Sequence, residues 1–368
     1  MRKLGVITSA IHKILSGIYL QSQISTLVAC VLGLITGGEL SLTGIGRYLP
    51  GQAKAKHKIK RVDRFLANSR IDPAALCHPM LMALSAKGNR SLVVSVDWSK
   101  FDDFQGLVFA VTTRYGRAVP VYWKVIDPDE ERMKAVELEA IKRFHACVPA
   151  GVKVTLLADR GFNDVKFLSV VAKFFPYVVR LKRDNTFGAS ADTEFTSLED
   201  ALGIQDQVKD FGDVLFTAAH FKTRIIGLHA RKSVDPWFLA TNLQASAQVI
   251  VDIYSRRFDI EHAFKDLKDV YRGWQLGSIR VSTPERLERL LMVAAVAFLV
   301  MVLLGLLAES RGKHRGLQVN STRDKRYLSL WRVGVLIYTT ARRLPTISAR
   351  VLLSFLDVLP LQLEVENG

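Results

Sequence analysis

Tyr254, Arg257, Glu261, Lys265 and Lys268 would lie in one stripe if a single helix carried them. At about 100° per residue, they fall within an arc of roughly 80°. A hydroxyl, a guanidinium, a carboxylate and two ammonium groups on one face suit a phosphodiester. The carboxylate can hold a divalent cation while the cations grip phosphate oxygens. Ile253, Ile260, Ala263, Phe264 and Leu267 form an apolar flank that would anchor the same helix to a core. The solvated face of an ordinary charged helix would show the same pattern.

Two further carboxylates stand out by position. Asp97 ends the apolar run 92–96, and Asp159 ends the run 154–158 and opens Asp159-Arg160-Gly161-Phe162. Carboxylates at the carboxyl ends of neighbouring strands meet at the rim of a sheet. With Glu261 they would complete a cluster for one or two divalent ions, one activating a nucleophile and one stabilising a leaving oxygen. Without metal, three such groups repel one another. Aspartates are also common turn formers, and Asp102 and Asp103 read as a hairpin turn.

The elements that must position these groups follow from periodicity. Residues 1 to about 85 read as helical. A short helix is expected at 42–49 with Thr43 as its N-cap. After Pro50-Gly51 comes a basic helix at 54–66, with Ile59, Val62, Phe65 and Leu66 on its buried face. Lys58, Lys60, Arg61 and Arg64 supply its charge, alongside Lys54 and Lys56. Short helix, turn, basic helix is compatible with helix-turn-helix DNA binding, and equally with a plain solvated helix. Three strands are expected at 91–97, 104–112 and 117–125. A helix at 133–145, a strand at 152–158, a helix at 165–174 and a strand at 177–182 follow. This describes a mixed α/β sheet covered by helices. Short strand-like runs at 214–218, 223–228 and 237–240 mark a β-rich insertion. The chain after Gly312 reads as basic and helical.

The 368 residues carry a formal net charge of +16, which points to a polyanion, most simply nucleic acid. An anionic membrane surface would also attract such a chain. Residues 290–308 are apolar without a break and long enough to cross a bilayer. They are the only such run, and a helix buried on all sides of a large domain is the preferred reading. Cys30, Cys77 and Cys147 lie far apart without metal-ligand spacing, as expected of a reducing compartment. Residues 1–13 lack the features of a secretory signal.

Taken together, the strand-terminal aspartates, the β-rich insertion and Y-x2-R-x3-E-x6-K at Tyr254, Arg257, Glu261 and Lys268 resemble bacterial insertion-sequence transposases of the DDE type. The resemblance is to the cut-and-paste, hairpin-forming subgroup and covers roughly residues 40–310. It implies a ribonuclease-H-like core split between 89–182 and 246–310, with the insertion at 183–245. A helical DNA-binding region at 1–88 and a basic helical region at 311–368 would flank it. It implies Asp97, Asp159 and Glu261 as catalytic metal ligands for Mg²⁺, with Mn²⁺ able to substitute. It implies phosphate contacts from Tyr254, Arg257, Lys265 and Lys268, and a flipped base stacked on Trp237, which could equally be a core aromatic. In the N-terminal region, Gly46-Arg47-Tyr48-Leu49 and the 58–68 stretch carry the likeness and imply DNA contacts. Double-stranded DNA, a homodimer on DNA, no membrane and a cytoplasmic, nucleoid-associated location complete the expectation. A metal-dependent nuclease of the same fold and a non-catalytic DNA-binding regulator remain alternatives.

Overall fold

The computed structural model describes residues 2–85, 91–202, 207–230, 235–276, 280–318, 325–340 and 348–361. Five helices open the chain: α1 (Arg2–Leu15), α2 (Gln21–Gly37), α3 (Leu42–Arg47), α4 (Ala55–Ala67) and α5 (Cys77–Leu84). The cap of α3 is Ser41, not Thr43. Ser41 has extended backbone angles and its Oγ accepts from Gly44 N at 2.9 Å, whereas Thr43 already lies inside the helix. Helix α4 buries Val62, Phe65 and Leu66 as its amphipathic spacing requires. It crosses α3 closely at Gly46, where a Cβ would stand 2.7 Å from Ile59 Cα.

The α/β region follows with β1 (Ser91–Phe101), β2 (Phe104–Thr112), β3 (Ala118–Ile126), α6 (Glu130–Cys147), β4 (Lys153–Ala158), α7 (Val165–Phe174) and β5 (Tyr177–Leu181). The first three strands form an antiparallel meander turning at Asp102-Asp103. Strand β4 lies parallel to β1, and β5 lies parallel to β4. Next come β6 (Thr186–Gly188), β7 (Thr196–Ser197), α8 (Leu198–Ala201), β8 (Val208–Phe216), β9 (Phe221–Leu228) and β10 (Trp237–Thr241). These later strands extend the same sheet, because β10 returns antiparallel onto β5 and carries β9, β8, β6 and β7 outward. The described strands form one sheet in the order β3-β2-β1-β4-β5-β10-β9-β8-β6-β7.

Five helices close the chain: α9 (Ala247–Ser255), α10 (Phe258–Lys268), α11 (Pro284–Ser310), α12 (Leu330–Thr340) and α13 (Ala349–Leu353). Helix α9 covers one face of the sheet, packing Ile250, Ile253 and Tyr254 on Val93, Leu157, Val178, Ile226 and Leu239. Helix α11 is the long apolar run, and it is buried from Leu287 to Ala308. It is covered by α2, α4, α12 and β3. Its length and hydrophobicity therefore serve a core, as a helix apolar on every side demands.

Polar groups at the start of α11 join the N-terminal helices to the sheet. Arg289 donates to the carbonyls of Leu66, Ile71 and Glu285, and Arg286 Nη2 meets Asp63 Oδ1 at 2.7 Å. On the sheet side, Glu288 accepts from Val125 N at 2.9 Å and pairs with Lys124 at 2.9 Å. These partners are what make a buried arginine and glutamate tolerable.

Helices α11 and α12 approach until backbone nearly touches backbone. A Cβ at Gly305 would stand 2.0 Å from Leu330 O, and one at Gly334 would stand 1.9 Å from Met301 O. No rotamer relieves such an overlap, so the helices must separate. Gly305→Ala is expected to lose about 1–3 kcal/mol of stability in urea titration. Unchanged stability would mean that the two helices are not packed at this distance.

Candidate active site

The register of β1 and β4 brings the two aspartates together. Val96 pairs with Ala158, so Asp97 and Asp159 are the next positions on two adjacent parallel strands. Asp97 does not sit at a strand end. Strand β1 continues to Phe101 against β2, but β4 stops at Ala158, leaving Asp97 where its parallel partner departs. Asp159 keeps extended backbone angles and caps the tight turn Arg160–Phe162, its Oδ1 accepting from Gly161 N at 2.8 Å. Side chains alternate along a strand, so Asp97 and Asp159 share the face of Val93 and Leu157, on which α9 packs.

The polar stripe comes from two helices, not one. Around Arg256 and Arg257 the bonds tighten, with Arg257 N donating to Tyr254 O and Ile260 N to Arg257 O. Such three-residue spacing gives about 120° per residue and rotates the stripe out of phase. Tyr254 and Arg257 therefore turn inward, while Glu261 and Lys265 face solvent. Arg257 is only 5% exposed, donates from Nη2 to Glu261 Oε1 at 2.5 Å, and places Nη1 3.8 Å from Asp97 Oδ2. Its Nε and Nη1 make no hydrogen bond, and neither does the buried Tyr254 hydroxyl beside it.

Electrostatics unite the group. Burial pushes the Asp97 carboxyl up to about 7; the neighbouring charge of Asp159 adds to this, Arg257 opposes it, and Glu261 adds a smaller rise. Asp97 thus feels both other carboxylates. Burial likewise pushes the Tyr254 phenol up to about 12, with Arg257 and Arg180 opposing. Among the described residues, no group of three or more His, Cys, Asp or Glu side chains is placed to hold a metal ion. What the site presents is oxygen donors on one face, with a guanidinium held between Asp97 and Glu261.

The remaining expected residues divide. Lys268 is half-buried, donates to Ser99 Oγ at 2.7 Å and lies 5.0 Å from the Phe101 ring, and burial lowers its pKa. Half-buried Trp237 stands edge-to-face on Tyr254 at 5.1 Å and 6.0 Å from Phe258, so it borders the site. Helix α4, carrying Lys58, Lys60, Arg61 and Arg64, packs chiefly on α2, α3 and α11. There Lys60 pairs with Asp63 at 2.7 Å and Arg61 donates to Thr26 at 3.1 Å, while Arg64 is exposed.

Sequence reasoning missed Arg180, Lys134 and Glu137. Arg180 donates to Pro236 O at 3.1 Å, next to Trp237. Glu137 is buried, accepts from Trp98 Nε1 at 2.9 Å and pairs with Lys134 at 3.1 Å. A signal for Glu137 existed. It shares a helical face with Ile141 and Phe144, where an apolar residue is the default.

The described elements form a mixed α/β fold that brings Asp97 and Asp159 side by side on one face of its sheet. Residues 120–300 match the family model of the transposase DDE domain, and this match supports a DDE transposase. The matched range includes Asp159, Trp237, Tyr254, Arg257, Glu261 and Lys268, and Asp97 lies before it. No curated protein matches the chain. Among solved structures, it is similar to the Argonaute of Marinitoga piezophila in complex with a 5′-OH guide RNA. The identity is 12% and the TM-score 0.24, covering 58% of this chain and 34% of that one. The chain thus spans about a third of that protein, and a likeness so slight supports no inference.

The raised Asp97 pKa predicts a pH effect. The unfolded chain ionises this carboxyl in the ordinary range, while the folded protein keeps its proton to about pH 7. Stability must then fall as pH rises through that interval and level off above it. In metal-free buffer, Asp97→Asn is expected to melt higher than wild type at pH 8. The margin should be on the order of 2 kcal/mol and shrink toward pH 5. Equal melting at both values would show that burial and the neighbouring carboxylates do not raise the Asp97 pKa in this way.

Proposed function

We propose that the protein is a DNA transposase that cleaves at the ends of an insertion sequence and joins the freed 3′-hydroxyl ends to target DNA. The observation that carries this reading is the lateral pairing of Asp97 and Asp159 on adjacent strands, with the buried Arg257 reaching from Asp97 to Glu261 of α10. The transposase DDE match over 120–300 supports it. The net charge of +16 suits a DNA partner.

The donor set fits a hard divalent cation such as Mg²⁺, or Mn²⁺ in its place. Mg²⁺ is commonly held by one or two carboxylates and completed by substrate phosphates and water, so a closed protein cage is not required. Asp97 and Asp159 would hold the cation, with Glu261 joining as it leaves Arg257. A bound cation would supply activation of a nucleophilic oxygen and stabilisation of the leaving oxygen. Arg257 would be free to donate to a phosphate when Glu261 releases it, since its Nε and Nη1 make no hydrogen bond. Tyr254 would donate its phenol to the same phosphate, and Lys265 stands exposed on the approach. Lys268, held by Ser99, would orient the lower end of the strand.

Trp237 borders Tyr254 and would stack against a base turned out of the duplex, the indole offsetting part of the unstacking cost. A hairpin route would use such a surface: the freed 3′-hydroxyl would attack a phosphodiester of the opposite strand, displacing the flanking strand's 3′-oxygen, and a base turned out at the hairpin would need a stacking partner. Lys58, Lys60, Arg61 and Arg64 would contact the duplex farther from the cut. Work at two DNA ends calls for a pair of protomers in a cytoplasmic, nucleoid-bound complex.

The test uses a duplex carrying an inverted repeat from the flank of the gene, with Mg²⁺ or Mn²⁺. Wild type and Glu261→Gln are compared on a denaturing gel. Metal-dependent hairpin or strand-transfer product is expected, falling about a thousandfold in the variant, which corresponds to roughly 4 kcal/mol of lost stabilisation. Cleavage without joining would assign a nuclease, and binding without cleavage a regulator.

A further inference from the structure

Behind the sheet, on the face opposite Asp97, stands a second polar cluster. Successive strand residues point to opposite faces, so Trp98 reaches away from Asp97 toward α6. There its Nε1 donates to Glu137 Oε1 at 2.9 Å. Glu137 is 3% exposed, in the middle of α6. Its Oε2 lies 3.1 Å from Lys134 Nζ, one turn earlier on the same helix. Lys134 Nζ also donates to Gly161 O at 3.0 Å and meets Asp164 Oδ2 at 3.3 Å. Gly161 in turn donates its N–H to Asp159 Oδ1 at 2.8 Å.

These bonds run without interruption from the neighbour of Asp97 to the side chain of Asp159. The link matters because β4 ends at Ala158, just before Asp159, so no further ladder bond of β1 holds that aspartate in register. Stability alone does not call for a charge at position 137. Ala140, Ile141 and Phe144 are buried on the same side of α6, and an apolar residue there would avoid the desolvation of a carboxylate.

We propose that Lys134 and Glu137 are positioning residues that clamp the Asp97 strand to the Asp159 turn and so set the separation of the two carboxylates. The proposal rests on the reading of Asp97 and Asp159 as cation ligands. Neither α6 residue touches a reacting atom in this scheme. They act through Trp98 and through the Gly161 carbonyl. Groups that orient ligands in this way commonly change metal affinity or activity by 10–100-fold when removed.

The test measures Mn²⁺ binding to the full chain without DNA, by electron paramagnetic resonance of the free ion, together with thermal melting. Trp98→Phe deletes one bond and Lys134→Met deletes those to Glu137, Gly161 and Asp164, each keeping most of the side-chain volume, and Glu137→Ala removes the centre of the clamp. About a tenfold rise in the Mn²⁺ dissociation constant is expected for Lys134→Met and Trp98→Phe, with melting close to wild type. Glu137→Gln, which still offers Trp98 an acceptor, is expected to recover part of the loss seen in Glu137→Ala. Asp97→Asn is run in parallel. If it weakens Mn²⁺ binding while Lys134→Met and Trp98→Phe do not, the clamp is overturned and the site reading stands. If Asp97→Asn leaves Mn²⁺ binding intact, the site reading fails and the clamp falls with it. Weakened binding in proportion to lost melting temperature alone would also overturn the clamp, because it would reduce these residues to structural support.

Discussion

A helix that is apolar around its whole circumference must be covered around its whole circumference, and α11 imposes that demand on the rest of the chain. No single neighbour can meet it. The N-terminal helices take one side, the β3 edge of the sheet another, and α12 a third. Regions far apart in sequence therefore share one core. The polar entrance of the helix fixes their relative placement: Arg289 is spent on carbonyls of the N-terminal region and Glu288 on the backbone and Lys124 of β3. Close passage at Gly305 and Gly334 then locks α12 against the same helix.

The candidate site depends on this core at one remove. Helix α10 lies on β1, β2 and β3, the last of which packs on α11, and buries Ile260, Ala263, Phe264 and Leu267. That seating points Arg257 at Asp97 and leaves Glu261 at the surface. The outcome is a balance of opposed charges, in which a buried guanidinium offsets carboxylates whose mutual repulsion would otherwise be borne by the fold. The clamp on the far face addresses a different need, which is to hold Asp159 in register after its strand has ended.

Much of this was legible in the chain. Alternation and helical periodicity located the meander, the βαβ units and the basic helix to within a few residues, because burial on one face forces those periods. The two aspartates stood out because each closes an apolar run. Other features were not legible. Position 97 looked like a strand end, yet β1 runs on beside β2, since an antiparallel partner can continue where a parallel one stops. The stripe on one helix became two helices, since the tightened turn at Arg256 and Arg257 depends on what those side chains meet. The strands after β5 read as an insertion, and only pairing shows that they extend one sheet through β10.

The sequence by itself determined which segments are helices and strands, which faces are apolar, and which residues have the chemistry to handle a phosphodiester. These are local matters, set by side-chain type and by the repeat of the backbone. The tertiary structure alone decided the rest: that Asp97 and Asp159 are lateral neighbours, that Arg257 stands between Asp97 and Glu261, and that Glu137 and Lys134 reach both aspartate-bearing segments. Those relations depend on strand register and helix seating. Both arise from contacts between residues remote in the chain, and no spacing along the chain encodes them.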